Sequence, residues 1–133
     1  MHSLSEITAL AHKAGRGAGL DDGTALDCAR AAARAVADGK PGLEWWSAAL
    51  ADLARLRETV AAADLANAGE TVDAPSAPLF PYLLDSAPVA GHGAFAVDET
   101  AWATLTALAH RTYVPATEAS RLAGAGAGTT DND

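Results

Sequence analysis

The chain holds one cysteine, Cys28, so no disulfide can close within it. A cross-linked scaffold is excluded, and a lone thiol fits a reducing, intracellular compartment. Aromatic residues are scarce, at 5% of the chain, so large rings cannot supply most of the core. Basic residues are scarce as well: Lys and Arg number 9 against 17 Asp and Glu, for a net charge of −8. No run of Lys or Arg concentrates what positive charge there is, so neither nucleic acid nor an anionic membrane surface is an expected partner. Long apolar runs are missing too, and the longest falls far short of the ~20 residues that a membrane-spanning helix needs. Met1-His2-Ser3 leads directly into a helix signal, without the basic stretch and apolar segment of an export signal. These absences together predict a soluble, acidic, cytoplasmic protein.

What is present is alanine. With 133 residues the chain suits one domain, and a domain of this size buries roughly two-thirds of its unfolded surface. Alanine is the best helix former, because folding costs it no side-chain entropy. It buries little area, but it lets helices approach near the short end of the ~8–10 Å interaxial range. Composition therefore predicts tightly packed helices anchored by a few Leu and Trp residues.

The helix signals follow in order. Ser3-Leu4-Ser5-Glu6 reads as a capping box, and Ile7, Leu10, Ala11 and Ala14 continue at helical spacing. Gly15, Gly17 and Gly19 read as its stop. Asp21, Asp22 and Thr24 open a second helix, with Leu26, Ala29, Ala33 and Val36 on its buried face and Gly39 at its end. Pro41 opens a third, which the stripe Leu43, Trp46, Leu50, Leu53 and Val60 carries to about Asn67. Pro75, Pro78 and Pro81 mark 69–81 as a surface linker, followed by a short buried turn at Tyr82, Leu83 and Leu84. Residues 94–97 suit a short β element. Asp98 and Glu99 open a further helix through Trp102, Leu105 and Leu108, and Glu118 to Leu122 suits one or two more turns. The predicted fold is a small, mainly α bundle of four or five helices. It forms a single domain over 1–122, with a Gly/Ala-rich C-terminal segment at 123–133.

Two segments carry a resemblance. One is Ser3-Leu4-Ser5-Glu6-Ile7 with Ala11, Lys13, Ala14, Arg16, Gly17, Ala18 and Gly19. The other runs from Arg111-Thr112-Tyr113-Val114-Pro115-Ala116-Thr117-Glu118-Ala119-Ser120-Arg121-Leu122 through the alternating Gly and Ala of 123–128 to Asp131-Asn132-Asp133. Together they resemble a bacterial family that carries only the label of a domain of unknown function. The resemblance brings no activity, cofactor or catalytic residue with it.

Candidate chemistry is sparse. The four histidines, His2, His12, His92 and His110, include no pair at i, i+4, and no Cys-x-x-Cys is present. No metal and no cofactor is therefore expected. Cys28, among alanines, reads as a buried, inert thiol. The strongest polar constellation is Arg111, Tyr113, Glu118, Ser120 and Arg121, with His110 beside it. One reading has the arginines grip a small anionic ligand, with Tyr113 or His110 as proton donor. The other has Glu118 and Arg121, at i, i+3, pair as scaffolding. Trp45 and Trp46 are the remaining candidates. Adjacent residues point about 100° apart on a helix, so one ring is expected in the core and its neighbour against another helix or another subunit. The leading expectation is a non-enzymatic accessory or interaction domain that self-associates as a homodimer. The alternative is a small-molecule-binding protein or enzyme using the C-terminal cluster.

Overall fold

The computed structural model describes residues 1–87 and 91–111. The expectations set on Tyr113, Glu118, Ser120, Arg121, the turns at 118–122 and the segment 123–133 lie outside the described residues. The described chain is mainly helical, as the sequence predicts. A short strand β1 (His2–Ser3) leads into α1 (Leu4–Gly17), α2 (Asp22–Ala37), α3 (Gly42–Leu50) and α4 (Leu53–Asn67). A 3-10 turn (Phe80–Leu83), strand β2 (Ala94–Phe95) and α5 (Glu99–His110) follow. The two strands pair antiparallel, with His2 opposite Phe95 and Ser3 opposite Ala94.

Side-chain caps fix most of the helix starts. Ser3 Oγ accepts the Glu6 amide at 3.1 Å, and the Glu6 carboxylate accepts the Ser3 amide at 2.9 Å, completing the capping box. Asp21 accepts from the Thr24 amide at 3.1 Å, and Asp98 from the Ala101 amide at 2.8 Å. Each cap satisfies an amide that the helix itself leaves unpaired.

The third helix departs from its expected form. The chain breaks at Ala51 and Asp52, where Asp52 Oδ1 accepts the Arg55 amide at 3.2 Å and starts α4 afresh. A short acidic side chain competes for backbone amides and favours a cap over a helix interior. The buried face shifts phase at the break. α3 buries Leu43, Trp46 and Leu50, whereas α4 buries Leu56, Thr59 and Ala63, leaving Leu53 and Val60 half-buried.

α2 is the central element, packed against α1, α3 and the 3-10 turn. Its enclosed side chains are nearly all small: Ala25, Cys28, Ala29, Ala31, Ala32 and Ala35 have no exposed surface. Small side chains bring backbones close, and at two places only glycine fits. A Cβ on Gly42 would stand 2.2 Å from the Ala32 carbonyl oxygen, so the start of α3 rests on the backbone of α2. A Cβ on Gly17 would stand 1.8 Å from the Leu108 carbonyl oxygen, so the end of α1 rests on α5. The expected glycine stop is therefore only partly a stop. Gly15 and Gly17 lie inside α1, and Gly19, at φ +110°, takes the left-handed conformation beyond its end.

The 3-10 turn is latched to α2. The Tyr82 hydroxyl donates to Asp38, and Arg34 Nη1 donates to the Tyr82 carbonyl at 2.9 Å. The bond to Asp38 holds the Tyr82 phenol above its ordinary 10.0, with burial adding to the effect. Cys28 is fully enclosed, and burial pushes its thiol from an ordinary 9.0 up to about 12, aided by repulsion from Asp27.

Two predictions follow from this packing. Gly17→Ala should destabilise the fold by about 1–3 kcal/mol, the cost of over-packing. Gly23→Ala, whose Cβ would meet nothing closer than 3.6 Å, should be neutral or stabilising in urea unfolding. A neutral Gly17→Ala would refute the α1–α5 contact. The pKa shifts give the second prediction. Cys28 and Tyr82 both have folded values above their unfolded ones, so the stability they add is complete below about pH 9 and is lost as pH rises toward 12. The urea midpoint should fall over that window, and Cys28→Ala combined with Tyr82→Phe should flatten the fall.

Candidate functional site

A cleft of about 190 Å³ opens where α3 turns into α4. Trp45, Ala48 and Ala49 come from α3, Leu56 and Thr59 from α4, and Ala77, Pro78 and Leu79 close the far wall. The break at Asp52 creates this corner, because one continuous helix would have no inside angle for the 77–79 segment to face.

The polar groups in the cleft are already engaged. Asp52 caps α4. Arg55 Nη2 donates to the Ser76 carbonyl at 3.1 Å, which holds the far wall in place. Thr59 Oγ1 donates to the Arg55 carbonyl at 3.1 Å. The cleft therefore offers a visitor apolar surface from Trp45, Leu56, Pro78 and Leu79, the remaining N–H groups of Arg55, and one donor that makes no hydrogen bond within the described chain. That donor is the Trp45 indole N–H, which has no hydrogen-bond partner among the described residues. The ring is half-buried and rests on Tyr82, with centroids 6.3 Å apart and planes tilted by 42°. The latch of Tyr82 to Asp38 and Arg34 thus also fixes the backing of Trp45.

The two adjacent tryptophans have different surroundings. Trp46 is fully enclosed and donates its indole N–H to the Ala11 carbonyl at 2.9 Å, so it joins α3 to α1 inside the chain. The interface expectation placed on the pair consequently rests on Trp45.

Of the C-terminal constellation, the described residues include His110 and Arg111. Both are exposed, with His110 ending α5 and Arg111 forming its C-cap. Tyr113, Glu118, Ser120 and Arg121 lie outside the described residues. The other histidines are scattered. His2 stacks on Trp102 with centroids 3.7 Å apart, His12 Nε2 lies 2.8 Å from Asp22 Oδ1, and His92 is exposed. Among the described residues, no three His, Cys, Asp or Glu side chains gather where they could hold a metal ion. No described helix is long and apolar enough to cross a membrane.

Sequence reasoning missed the far wall of the cleft. Leu79 and Phe80 are buried although they fall within the proline-marked stretch 69–81. The signal was the apolar pair between Pro78 and Pro81, followed at once by Tyr82 and Leu83. Apolar residues enclosed by prolines mark a strap that packs against the core as well as they mark a bend.

No curated protein and no solved structure matches this chain. A family model described as "Protein of unknown function (DUF3726)" matches residues 2–77. The match takes in β1 and α1 to α4, including the N-terminal segment Ser3 to Gly19 and the Trp45 side of the cleft. Pro78, Leu79, the 3-10 turn, α5 and the C-terminal string from Arg111 onward lie beyond it. The matched stretch is more than half of the 133 residues, and the chain belongs to this family of unknown function.

Proposed function

We propose that this protein is a non-enzymatic cytoplasmic accessory domain that self-associates through the face of α3 and α4 carrying Trp45. The supporting observation is the half-buried Trp45 ring, held against Tyr82 at the lip of an apolar cleft with its indole N–H unpartnered. A large flat ring with one free donor, fixed by its own scaffold, loses little entropy on contact and is the commonest kind of hot-spot residue. The cleft beside it has room for an apolar side chain of a second copy. Asp52, Arg55 and Thr59 each make a hydrogen bond within the chain, and a contact that leaves the exposed Asp52 and Arg55 charges at its rim avoids stripping them of water.

Electrostatics oppose such a contact. Each copy carries a charge of −8, so two copies repel until salt screens them. Association should therefore strengthen as salt rises. Sedimentation velocity across a concentration series is the test. The wild type should shift toward a dimer with concentration, and more readily at high salt. Trp45→Ala should weaken the dimer by roughly thirtyfold, the effect of losing a hot spot of about 2 kcal/mol, with an unchanged far-UV circular dichroism spectrum. A monomer at every concentration and salt level, or a dimer indifferent to Trp45, would overturn the proposal.

A further inference from the structure

A groove of about 540 Å³ runs along the seam between α1 and α2. Leu4, Thr8 and His12 stand along it on α1, and Leu26, Arg30 and Arg34 along it on α2. Each set is spaced i, i+4, i+8, which makes a ridge parallel to its helix. The groove between the ridges therefore follows both helices for two turns, and Ala9 and Ala33 leave room within it. Its ends are held by the chain itself: Arg34 Nη1 donates to the Tyr82 carbonyl at 2.9 Å, and His12 Nε2 lies 2.8 Å from Asp22 Oδ1.

No carboxylate lines this groove, although Asp and Glu number 17 in the chain. The acids of the same two helices are committed elsewhere. Glu6 closes the capping box, and Asp21 caps α2. Asp22, beside the groove, is held by His12 and by Arg16 at 3.6 Å. Asp27 lines a different cleft, toward α4. On a molecule of net charge −8, the groove combines small and apolar walls with two guanidiniums and no acid.

The path of the chain brings an occupant to it. Trp102, early in α5, stacks on His2 ahead of α1, and the Leu108 carbonyl, late in α5, meets Gly17 at the end of α1. α5 thus runs parallel to α1, and the residues after Arg111 begin beside the His12 end of the groove. Extended at ~3.3 Å per residue, residues 112–122 span up to about 36 Å. The seam from Gly17 back to Leu4 is about 20 Å long at ~1.5 Å per residue. Residues 112–133 carry Glu118, Asp131 and Asp133 against the single base Arg121, so their charge opposes that of the groove.

We propose that the α1–α2 groove is the docking site of the chain's own residues 123–133. The alternating Ala and Gly of 123–128 lie along the seam, where a backbone with little or no side chain approaches the small residues of the walls closely. Asp131 and Asp133 follow at the far end and meet Arg30 and the free part of Arg34 in carboxylate–guanidinium contact. The docked segment closes the seam between α1 and α2 from outside. The groove shares no lining residue with the Trp45 cleft, so this proposal and the self-association proposal stand or fall separately.

The experiment is paramagnetic relaxation enhancement on the full chain. A nitroxide is attached through Thr129→Cys; Cys28 is fully enclosed and does not compete for the label. The label should broaden the amides of Thr8, His12 and Arg30 at least twofold more than those of Arg57 and Leu65 on the exposed side of α4. A mixture of ¹⁵N chain without label and labelled chain at natural abundance should show no such broadening. Arg30→Glu should cut the broadening at the groove by at least half, and Asp131→Lys with Asp133→Lys, added to it, should restore it. Three outcomes overturn the proposal. One is broadening spread evenly over α1, α2 and α4. Another is groove broadening in the mixed sample, which gives the groove to a second copy. The third is broadening indifferent to Arg30→Glu.

Discussion

Trp46 sets the terms for the rest of the molecule. Its ring is the largest of the fully buried side chains and lies where α1 and α3 meet beside α2. An indole of this size buries ~150–250 Å², worth roughly 4–6 kcal/mol of transfer free energy. That gain requires a partner for the indole N–H, because an unpaired buried donor costs about 1–3 kcal/mol. The Ala11 carbonyl is the partner. Ala11 lies within α1, where its carbonyl is also in reach of the helix ladder, so the ring is accommodated without breaking the helix. Space for the ring comes from small neighbours. A Cβ on Gly15 would meet both Trp46 Cζ2 and Ala25 Cβ at 3.0 Å. One large ring and many small residues are therefore a single solution: the ring supplies area, and the alanines and glycines let the backbones close around it.

The same closeness ties the family-matched part of the chain to the part beyond it. Gly17 lies within residues 2–77, yet the backbone that forbids it a side chain belongs to α5. α5 also buries Ala101, Leu105 and Ala109, and β2 pairs with β1 ahead of α1. The matched segment thus depends for its packing on elements outside the match. The Trp45 cleft is divided in the same way, with Trp45 and Leu56 on the matched side and Pro78 and Leu79 beyond it. A feature of one helix corner becomes a cleft only when the later chain folds back to wall it.

Much of the helical architecture was legible because it is written locally. Ser3, Asp21 and Asp98 announce their helices through one or two hydrogen bonds within a few residues. The break at Asp52 was written in the same chemistry but masked by the leucine stripe, which carries on through it in sequence while the buried face changes phase. The roles of Gly15 and Gly17 were not legible. A glycine at a helix end and a glycine under a crossing helix look identical until the neighbour is known. The division of labour between Trp45 and Trp46 was half legible: helical geometry separates their directions, and only the tertiary contact with Ala11 says which one is enclosed.

Trp46 is a locked, interior element whose N–H is released only when the bundle opens. Hydrogen exchange of the tryptophan indoles, followed by ¹H–¹⁵N NMR, tests this directly. The Trp46 Nε1–H should exchange only through global unfolding, with a protection free energy equal to the stability from urea denaturation, while the Trp45 indole exchanges far faster. Equal exchange at Trp46 and Trp45 would mean that the ring is not enclosed by α1, α2 and α3, and the packing that positions α3 and the Trp45 cleft would be wrong.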